Sequence, residues 1–390
     1  MSDADPKSKR PSQMPPPSKA EPDPQTLEDE RWMDLALVHA RSGRPSPNPH
    51  VGAVIVKNNE LVATGHHERA GSDHAETAAV RAAGERAAGG TLYVTLEPCN
   101  HHGRTPPCTD AIIASKVARV VVGCLDPNPH VDGGGISELE KAGIKVTLGV
   151  REAQCRTQIL PWSKHVTTGL PYVSLKLALS LDGRIATRSG ASKWVTGPDA
   201  RAKVHHLRSR SDAVAVGIGT AVADDPHLTV RDAPGDSPLR VVFDTNLRLV
   251  PGSRLAQTAR EIPTLVVCGP EAGEGPEEAL ANLGVECVRI PLSTEGRLDV
   301  VAALRMLAQR GVVTMLVEGG AELAGSFLAQ RLADELHAFI APILLGPRGR
   351  PGAVDWAGPD TPQQAPRIRA PSWELVGEDA YVHGQIVYPE

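Results

Sequence analysis

The sequence has few aromatic residues, no excess of positive charge and no long hydrophobic run. Aromatic side chains make up 3% of the 390 residues, too few for the base-stacking surfaces of single-strand nucleic-acid binders. Lysine and arginine total 41 against 46 aspartate and glutamate, and this net charge of -5 excludes a broad cationic surface for DNA or RNA. No stretch reaches the roughly 18 apolar residues of a membrane-spanning helix. We therefore expect a soluble protein that binds neither nucleic acid nor membrane.

Cysteine is also scarce. Six cysteines in a chain of this length are too few for a disulfide framework. The first 25 residues contain no apolar core of the kind that a secretion signal has. Both features predict a cytoplasmic location. Residues 1–25 are rich in Ser, Lys, Pro and Asp, which predicts a disordered tail, with a rigid proline docking arm as the alternative.

Two alternations of strands and helices follow the tail. In residues 26–150, Thr26 is the predicted cap of a first helix, a hairpin follows, and later strands are separated by single helices, which predicts a three-layer α/β/α domain. Residues 151–171 contain Pro161 and are the predicted connector. Residues 172–390 alternate again, but residues 373–388 contain two β-like halves with no helix between them, which predicts a mixed sheet.

The strongest chemical signal is His74-Ala75-Glu76 followed by Pro98-Cys99 and, nine positions later, Cys108. Zinc binds imidazole and thiolate together, and catalytic zinc sites use three protein ligands. Glu76 lies on the same helical turn as His74 and could move a proton between water and a leaving nitrogen. The pattern matches the signature of zinc deaminases, except that eight residues rather than two separate the cysteines. The alternative is a closed zinc knuckle in which His101 or His102 supplies a fourth ligand.

The remaining chemistry is less specific. Cys124, Cys155, Cys268 and Cys287 have no ligand-like neighbours and are interpreted as small buried hydrophobic residues. In the second half, the segment Glu318-Gly319-Gly320 lies between a predicted buried strand and a helix. Such a junction can bind a diphosphate through backbone N–H groups, although Gly-Gly turns without ligands are common.

The chain resembles the bifunctional deaminase-reductase family of riboflavin biosynthesis, over about residues 30–390. In the first half the resemblance lies in His74-Ala75-Glu76, in the segment 95–108 with its long cysteine loop, and in Asp126-Pro127-Asn128-Pro129. In the second half the matching segments, in family order, are Lys176-Leu177-Ala178, 180–184, 192–197, Ala223-Asp224-Asp225-Pro226 and Val317-Glu318-Gly319-Gly320.

The resemblance implies a cytidine-deaminase-like domain followed by a dihydrofolate-reductase-like domain. The first would hydrolyse the 2-amino group of 2,5-diamino-6-ribosylamino-4(3H)-pyrimidinone 5′-phosphate, and the second would use NADPH to reduce the ribose to a ribityl chain. By motif match, zinc would be held by His74, Cys99 and Cys108, with Glu76 as proton shuttle. NADPH contacts would fall on Ala178, Trp194, Thr220, Asp224, Thr245, Gly320, Ala321, Glu322, Leu323, Ala324, Gly325 and Ser326. Substrate contacts would fall on Ser192, Arg208, Leu228, Arg231 and Glu318.

The charged members of this set suit these roles. Arg208 and Arg231 offer planar guanidinium groups for a substrate phosphate, and Glu318 could hold ribose hydroxyls. Taken singly, Arg208 could lie on a solvated helix face and Trp194 could be a core aromatic. Lys176 and Asp182 are candidate proton sources for the reduction, with nothing in the sequence to decide between them.

Two other functions stay open at this point. One is a deaminase whose reductase half is degenerate, and the other is a non-enzymatic zinc module, against which the intact Glu76 speaks. The expected partner is a small pyrimidine ribose phosphate. The oligomeric state is left open, a homo-oligomer included.

Overall fold

The computed structural model describes residues 23–103, 106–129, 134–346 and 352–389. Within these ranges the first half forms a five-stranded sheet. Its strands β1 to β5 are Gly52–Lys57, Glu60–His66, Thr91–Leu96, Arg119–Cys124 and Lys145–Leu148. Their order is β2-β1-β3-β4-β5; β1 is antiparallel to β2 and β3, whereas β3, β4 and β5 are parallel. The predicted hairpin and the predicted βαβ alternation of this half are confirmed.

Helices cover both faces of this sheet. Helices α1 to α5 are Pro24–Ala40, Ala75–Ala83, Cys108–Ala114, Gly134–Lys141 and Glu152–Gln158. A Cβ atom on Gly52 would lie 2.0 Å from the Ala36 carbonyl oxygen of α1, and one on Gly65 would lie 2.1 Å from the Ala75 carbonyl oxygen of α2. Gly65 pairs with Ala53, the neighbour of Gly52, so the two glycines face opposite sides of the sheet. The predicted three-layer architecture is confirmed.

The first helix begins earlier than the sequence predicts. Its N-cap is Asp23, whose carboxylate accepts hydrogen bonds from the Thr26 backbone N–H at 3.0 Å and from the Thr26 hydroxyl at 2.7 Å. Pro24 fits the first turn because its missing N–H has no partner there in any case. Thr26 is therefore not the cap, and residues 24 and 25 of the predicted tail are helical. Residues 1–22 of that tail lie outside the described residues.

The second half forms a nine-stranded sheet. Its strands β6 to β14 are Tyr172–Ser180, Ala213–Gly217, Leu239–Phe243, Thr264–Cys268, Glu286–Arg289, Thr314–Glu318, Glu335–Ala341, Arg367–Val376 and Asp379–Val387. The order is β10-β9-β8-β7-β11-β6-β12-β14-β13, parallel from β10 to β12, with β14 antiparallel to both β12 and β13. The predicted mixed sheet with an antiparallel ending is confirmed.

Helices pack on both faces of this sheet as well. Helices α6 to α12 are Leu160–Thr168, Pro198–Ser209, Ile218–Asp224, Arg254–Gln257, Glu274–Ala281, Val300–Gln309 and Ala321–Ala329. Along β7, Ala213 and Ala215 belong to a core built with α11 and α12, whereas Val214 and Val216 belong to a core built with α8, α9 and α10. Successive side chains of β7 point to opposite faces of the sheet, and both faces are buried, so the strand is a continuous apolar run in the sequence. None of the described helices is long and apolar enough to span a bilayer.

The predicted connector consists of two packed helices, α5 and α6. Cys155, Ile159 and Trp162 are buried in the core of the first half. Pro161 lies in the first turn of α6, where proline is tolerated. Lys164 reaches the second half and forms an ion pair with Asp334. The segment 151–171 therefore packs against both halves of the chain.

Candidate functional site

Three elements of the first half bring the predicted zinc ligands together. His74 is the N-cap of α2, Cys99 lies in the loop that follows β3, and Cys108 is the first residue of α3. The Thr109 N–H donates to the Cys99 carbonyl oxygen at 3.3 Å, which closes the cysteine loop. All three residues therefore lie at the carboxyl edge of the parallel strands, where open α/β sheets place their binding sites.

The donor atoms of these residues form a compact cluster. Nδ1 of His74 lies 3.1 Å from Sγ of Cys108 and 3.5 Å from Sγ of Cys99, and the two sulfurs are 3.1 Å apart. Hydrogen bonding to Cys108, followed by that to His74, lowers the pKa of Cys99 to about 4. One imidazole nitrogen and two cysteine sulfurs are a donor set that suits zinc.

Glu76 lies beside this cluster on the first turn of α2. Its side chain is buried, and burial together with the negative charge of Cys99 raises its pKa to about 7. A carboxyl group whose pKa lies near neutrality can both accept and release a proton at physiological pH. The geometry thus gives Glu76 the properties of a proton shuttle.

The structure argues against a closed zinc knuckle. Within the described part of the chain, the metal-ligand cluster consists of His74, Cys99 and Cys108. His101 and His102 are exposed to solvent. Arg104 and Thr105 of the cysteine loop lie outside the described residues. Three protein donors leave a coordination position for water, which is typical of a catalytic site.

A buried histidine that the sequence analysis missed supports His74. The rings of His67 and His74 meet edge to face with their centroids 5.0 Å apart. Nδ1 of His67 lies 2.9 Å from the Asp73 carbonyl oxygen, and its Nε2 lies 2.9 Å from the Asn48 amide nitrogen. His67 therefore fixes the chain immediately before His74, the predicted zinc ligand. The His66-His67 pair at the end of β2 was the available signal.

The other four cysteines take no part in this cluster. Cys124, Cys155 and Cys268 are buried, and Cys287 is half-buried. Burial raises the pKa of each thiol, to about 12 for Cys124, Cys155 and Cys287. They fit the predicted role of small buried hydrophobic residues.

A second candidate site lies at the carboxyl edge of the nine-stranded sheet. Gly319 and Gly320 follow β11 with φ of +78° and +86°, a region that glycine adopts without strain. A Cβ atom on Gly320 would lie 3.4 Å from the Thr220 hydroxyl oxygen, which belongs to α8. The N-termini of α8 and α12 therefore face each other across a glycine turn, which suits the diphosphate of a dinucleotide.

The α12 segment predicted to contact NADPH divides into two parts. The backbone at Gly320 lies in the turn itself, whereas Ala321, Leu323, Ala324 and Gly325 are buried in the protein. A Cβ atom on Gly325 would lie 1.9 Å from the Asp355 carbonyl oxygen, so this glycine allows close packing of two backbones. Glu322 is exposed, and the Ser326 hydroxyl donates to the Glu322 carbonyl oxygen at 2.9 Å.

The loop before α7 places three further predicted residues together. The Ser192 hydroxyl donates to the Asp224 carboxylate at 2.7 Å, and Lys193 Nζ donates to the Asp224 carbonyl oxygen. The Trp194 side chain is 68% exposed, so it is not a core aromatic. The Arg201 guanidinium lies 4.6 Å from the centroid of its ring and also donates to the Thr196 carbonyl oxygen. An exposed aromatic held in this way is available to a ligand.

Arg208 and Glu318 form a nearly buried ion pair. Nη2 of Arg208 donates to Oε2 of Glu318 at 2.8 Å, and its Nε donates to Oε1. Arg208 is therefore not part of a solvated helix face. Burial, and after it the positive charge of Arg208, lowers the pKa of Arg231, whose Nη1 donates to the Thr229 hydroxyl at 2.8 Å. Leu228 is buried in a hydrophobic core with φ of +54°, so its side chain does not face a binding site.

The two candidate proton sources have different surroundings. The Asp182 carboxylate accepts hydrogen bonds from the Ser180 hydroxyl and from the backbone N–H groups of Leu345 and Gly346. The Ser180 hydrogen bond and these backbone contacts lower its pKa to about 2, which makes it a poor proton donor. Lys176 pairs with Glu318 across β6 and β11, and burial lowers its pKa. The structure thus favours Lys176.

Thr245 and Ala178 mark the two ends of the second site. Ala178 lies on β6 and Thr245 directly follows β8, with β11 and β7 between these strands. In the same half of the chain, Arg254 pairs with Asp225 at 3.4 Å and Arg289 pairs with Glu277. Arg248 is 64% exposed, and its closest carboxylate oxygen, in Asp244, is 3.9 Å away. The sequence analysis missed Arg248, although a basic residue just after a strand end was visible.

Together these features define a class of protein. A three-layer domain with a His-Cys-Cys cluster beside a buried glutamate is the arrangement of a zinc deaminase. The second domain, with its glycine turn and its ion pair at the sheet edge, is that of a dinucleotide-dependent reductase.

Comparisons with known proteins agree with this class. The family model of the cytidine and deoxycytidylate deaminase zinc-binding region matches residues 26–124, and that of the RibD C-terminal domain matches residues 171–382. The riboflavin biosynthesis protein RibD of Escherichia coli is 42% identical over 92% of this chain and 99% of its own length. That of Aquifex aeolicus is 42% identical over 91% of this chain and 97% of its own.

Solved structures show the same relationship over the whole length. RibD of Acinetobacter baumannii superposes with a TM-score of 0.81 at 38% identity, covering 93% of this chain and 100% of that one. A diaminohydroxyphosphoribosylaminopyrimidine deaminase/5-amino-6-(5-phosphoribosylamino)uracil reductase from Thermotoga maritima has a TM-score of 0.81 at 35% identity, with the same coverage. The chain belongs to the RibD family, the bifunctional deaminase-reductases of riboflavin biosynthesis. The predicted fold class, enzyme class and cofactors, zinc and NADPH, are confirmed.

Proposed function

We propose that the chain catalyses two successive reactions on one small pyrimidine ribose phosphate. The first half removes the 2-amino group of 2,5-diamino-6-ribosylamino-4(3H)-pyrimidinone 5′-phosphate by hydrolysis. The second half reduces the ribose of the product, 5-amino-6-(5-phosphoribosylamino)uracil, to a ribityl chain. The observation that carries the first step is the buried Glu76 carboxyl beside three converging donors, His74, Cys99 and Cys108.

In the deaminase half these four residues divide the work. His74, Cys99 and Cys108 would hold zinc, which when bound would supply a Lewis acid for the activation of a water molecule. Glu76 takes a proton from that water and passes it to the departing amine, a task that its pKa of about 7 suits. Burial of Glu76 keeps bulk water from competing for the proton.

In the reductase half NADPH supplies the hydride. The Gly319-Gly320 turn and Thr220 would hold its diphosphate, and Ala178 and the exposed Trp194 would contact the rest of the cofactor. Arg231 binds the substrate phosphate, and Glu318, fixed by Arg208, accepts hydrogen bonds from the ribose hydroxyls. The support is the order of these groups along one sheet edge and the two-point Arg208–Glu318 pair.

The remaining assignments concern the domain boundaries, the location and the partners of the protein. We propose domain boundaries at residues 26–150 and 172–390 with a connector at 151–171. All six cysteines are free, which supports the cytoplasm as the location. We propose that the protein binds neither nucleic acid nor membrane, in line with its charge and composition. The edge strand β13 exposes Trp373 and Leu375, which supports self-association into a homo-oligomer.

Replacing Glu76 with glutamine tests the proposal directly. Glu76→Gln should keep zinc at the wild-type ratio while ammonia release falls at least about 100-fold, because the proton shuttle is lost. Its matched control is Glu85→Gln, an exposed position after the same helix. Both variants should oxidise NADPH at the wild-type rate when they receive the deaminated substrate. Unchanged ammonia release by Glu76→Gln would refute the deaminase assignment. If the wild type did not oxidise NADPH, deamination would be the protein's only activity.

A further inference from the structure

A short loop carries two of the predicted substrate contacts of the reductase, and buried basic side chains donate hydrogen bonds to its backbone. The loop runs from His227 to Arg231. Nη1 of Arg240, a fully buried side chain, donates to the His227 carbonyl oxygen at 3.2 Å. Nη1 of Arg208 donates to the Thr229 carbonyl oxygen at 3.0 Å. The loop is thus fixed at His227, just before Leu228, and at Thr229, two residues before Arg231.

A third buried side chain, His205, has no role in the function described above. It lies on α7, three residues before Arg208, and its side chain is 6% exposed. Its Nδ1 lies 2.9 Å from the Thr229 carbonyl oxygen and 3.4 Å from the Arg231 backbone nitrogen. Its Nε2 lies 3.3 Å from the carboxylate of Asp232. One imidazole therefore contacts three of the four consecutive residues Thr229 to Asp232.

Thr229 connects this imidazole to the guanidinium of Arg231. The Thr229 carbonyl oxygen accepts from both His205 and Arg208, and the Thr229 hydroxyl accepts from Nη1 of Arg231 at 2.8 Å. A side chain that fixes the backbone at Thr229 also fixes the direction in which the Arg231 guanidinium points. Small displacements of the Arg231 guanidinium weaken binding of a phosphate, because two-point contacts between guanidinium and phosphate depend on geometry.

We propose that His205 is a positioning residue of the reductase, which holds Thr229 so that Arg231 faces the phosphate of the substrate. The inference rests on the proposed assignment of Arg231 to that phosphate. His205 does not touch the substrate itself. Its effect is therefore confined to substrates that carry the phosphate.

The test compares reductase kinetics on 5-amino-6-(5-phosphoribosylamino)uracil and on the same compound without its phosphate. His205→Phe fills the space and removes both ring contacts. His205→Asn keeps an N–H near the position of Nδ1. His206→Asn changes the exposed neighbour on the same helix and is the control. Arg231→Gln gives the effect of losing the phosphate contact.

For His205→Phe we expect KM for the phosphorylated substrate to rise about tenfold, the equivalent of about 1.4 kcal/mol, with kcat unchanged. KM for the dephosphorylated substrate, the Kd for NADPH and the deaminase rate should stay within about twofold of the wild type. His205→Asn should restore most of the lost affinity. Adding His205→Phe to Arg231→Gln should have no further effect, because both act on one contact.

Three results would overturn the inference. The first is an unchanged KM for the phosphorylated substrate in His205→Phe. The second is an equal rise of KM for both substrates in that variant, which would indicate general disruption of the domain. If Arg231→Gln itself left KM for the phosphorylated substrate unchanged, the assignment of Arg231 would fail, and the inference would fail with it. An effect of Arg231→Gln without one of His205→Phe would refute the role of His205 alone.

Discussion

The Arg208 guanidinium and the Glu318 carboxylate, 110 residues apart in sequence, meet in a two-point ion pair that joins α7 to the end of β11. Their side chains are only 11% and 7% exposed. Burial opposes ionisation of Glu318, but Arg208 and Lys176 outweigh it and lower its pKa. The carboxylate is therefore charged and fixed in direction before any substrate arrives.

Breaking this pair should destabilise the reductase half. Arg208→Met leaves the Glu318 charge buried without its main partner, which costs about 3–5 kcal/mol. The double variant Arg208→Met with Glu318→Leu should recover most of that loss but none of the reductase activity. Denaturant unfolding, followed alongside NADPH oxidation, checks both statements. Equal stability of the single variant and the wild type would contradict the first.

The stability of the deaminase half should fall in acid through Asp29. This buried carboxylate accepts two hydrogen bonds from Arg119, at 2.8 and 2.6 Å, and one from the Tyr93 hydroxyl at 2.9 Å. Burial raises its pKa, but these bonds outweigh burial and lower the pKa below its ordinary value of 3.8. A lowered pKa stabilises the fold above that ordinary value, and the contribution disappears as the pH falls through the folded-state pKa.

Asp29→Asn should accordingly lose about 3 kcal/mol of unfolding free energy at pH 7. The difference from the wild type should shrink as the pH drops below about 4. The measurement is denaturant unfolding across that range at a constant zinc concentration. Asp34→Asn, at an exposed position later on the same helix, is the control. A difference that stays constant with pH would count against this account.

Arg248 should determine the preference for NADPH over NADH. It is the arginine near Thr245 with the loosest carboxylate contact, and guanidinium groups bind phosphate monoesters well. Arg248→Ala should raise the Kd for NADPH at least about tenfold, roughly the worth of one charged contact, and leave that for NADH unchanged. Titration with 2′,5′-ADP and with 5′-AMP separates the two cases without catalysis. The prediction fails if Arg248→Ala raises the Kd for both nucleotides by the same factor.

Lys176 and Asp182 should differ in their effect on the reduction step. Asp182 is engaged by three hydrogen bonds in a loop, whereas Lys176 lies beside Glu318 in the sheet. Lys176→Met should lower kcat of the reductase at least about 100-fold if it supplies the proton. Asp182→Asn should leave the pH profile of kcat unchanged. Single-turnover NADPH oxidation measures both variants, and the reverse ranking would refute the assignment.

Removal of metal should affect only one of the two activities. A chelator, or Cys108→Ala, should abolish ammonia release because the ligand cluster is lost. NADPH oxidation on the deaminated substrate should continue at the wild-type rate, because no described residue of the second site belongs to that cluster. Cys287→Ala is the matched control, a half-buried thiol outside the site. Loss of both activities after chelation would contradict the separation of the sites.

The sequence determined the parts of this protein that depend on local order. The alternation of apolar strands and helices predicted both sheets, because each strand and helix is specified by its own periodicity. The spacing of four residues predicted the metal-ligand cluster: His74, Glu76, Cys99 and Cys108. It could do so because the helices that begin at His74 and Cys108 and the strand that ends before Cys99 meet at the same sheet edge. Errors at this level were small. The first helix, for example, is capped by Asp23 and not by Thr26, three residues later, and both residue types can cap a helix.

Only the tertiary structure decided which long side chains meet across the fold. Nothing near Asp29 in sequence indicates Arg119, and nothing near Glu318 indicates Arg208, because these contacts depend on how each helix packs on its sheet. The same holds for His205, which sequence alone leaves as one of two histidines on a basic helix. Its position under Thr229 exists only because α7 packs beside the loop that follows α8.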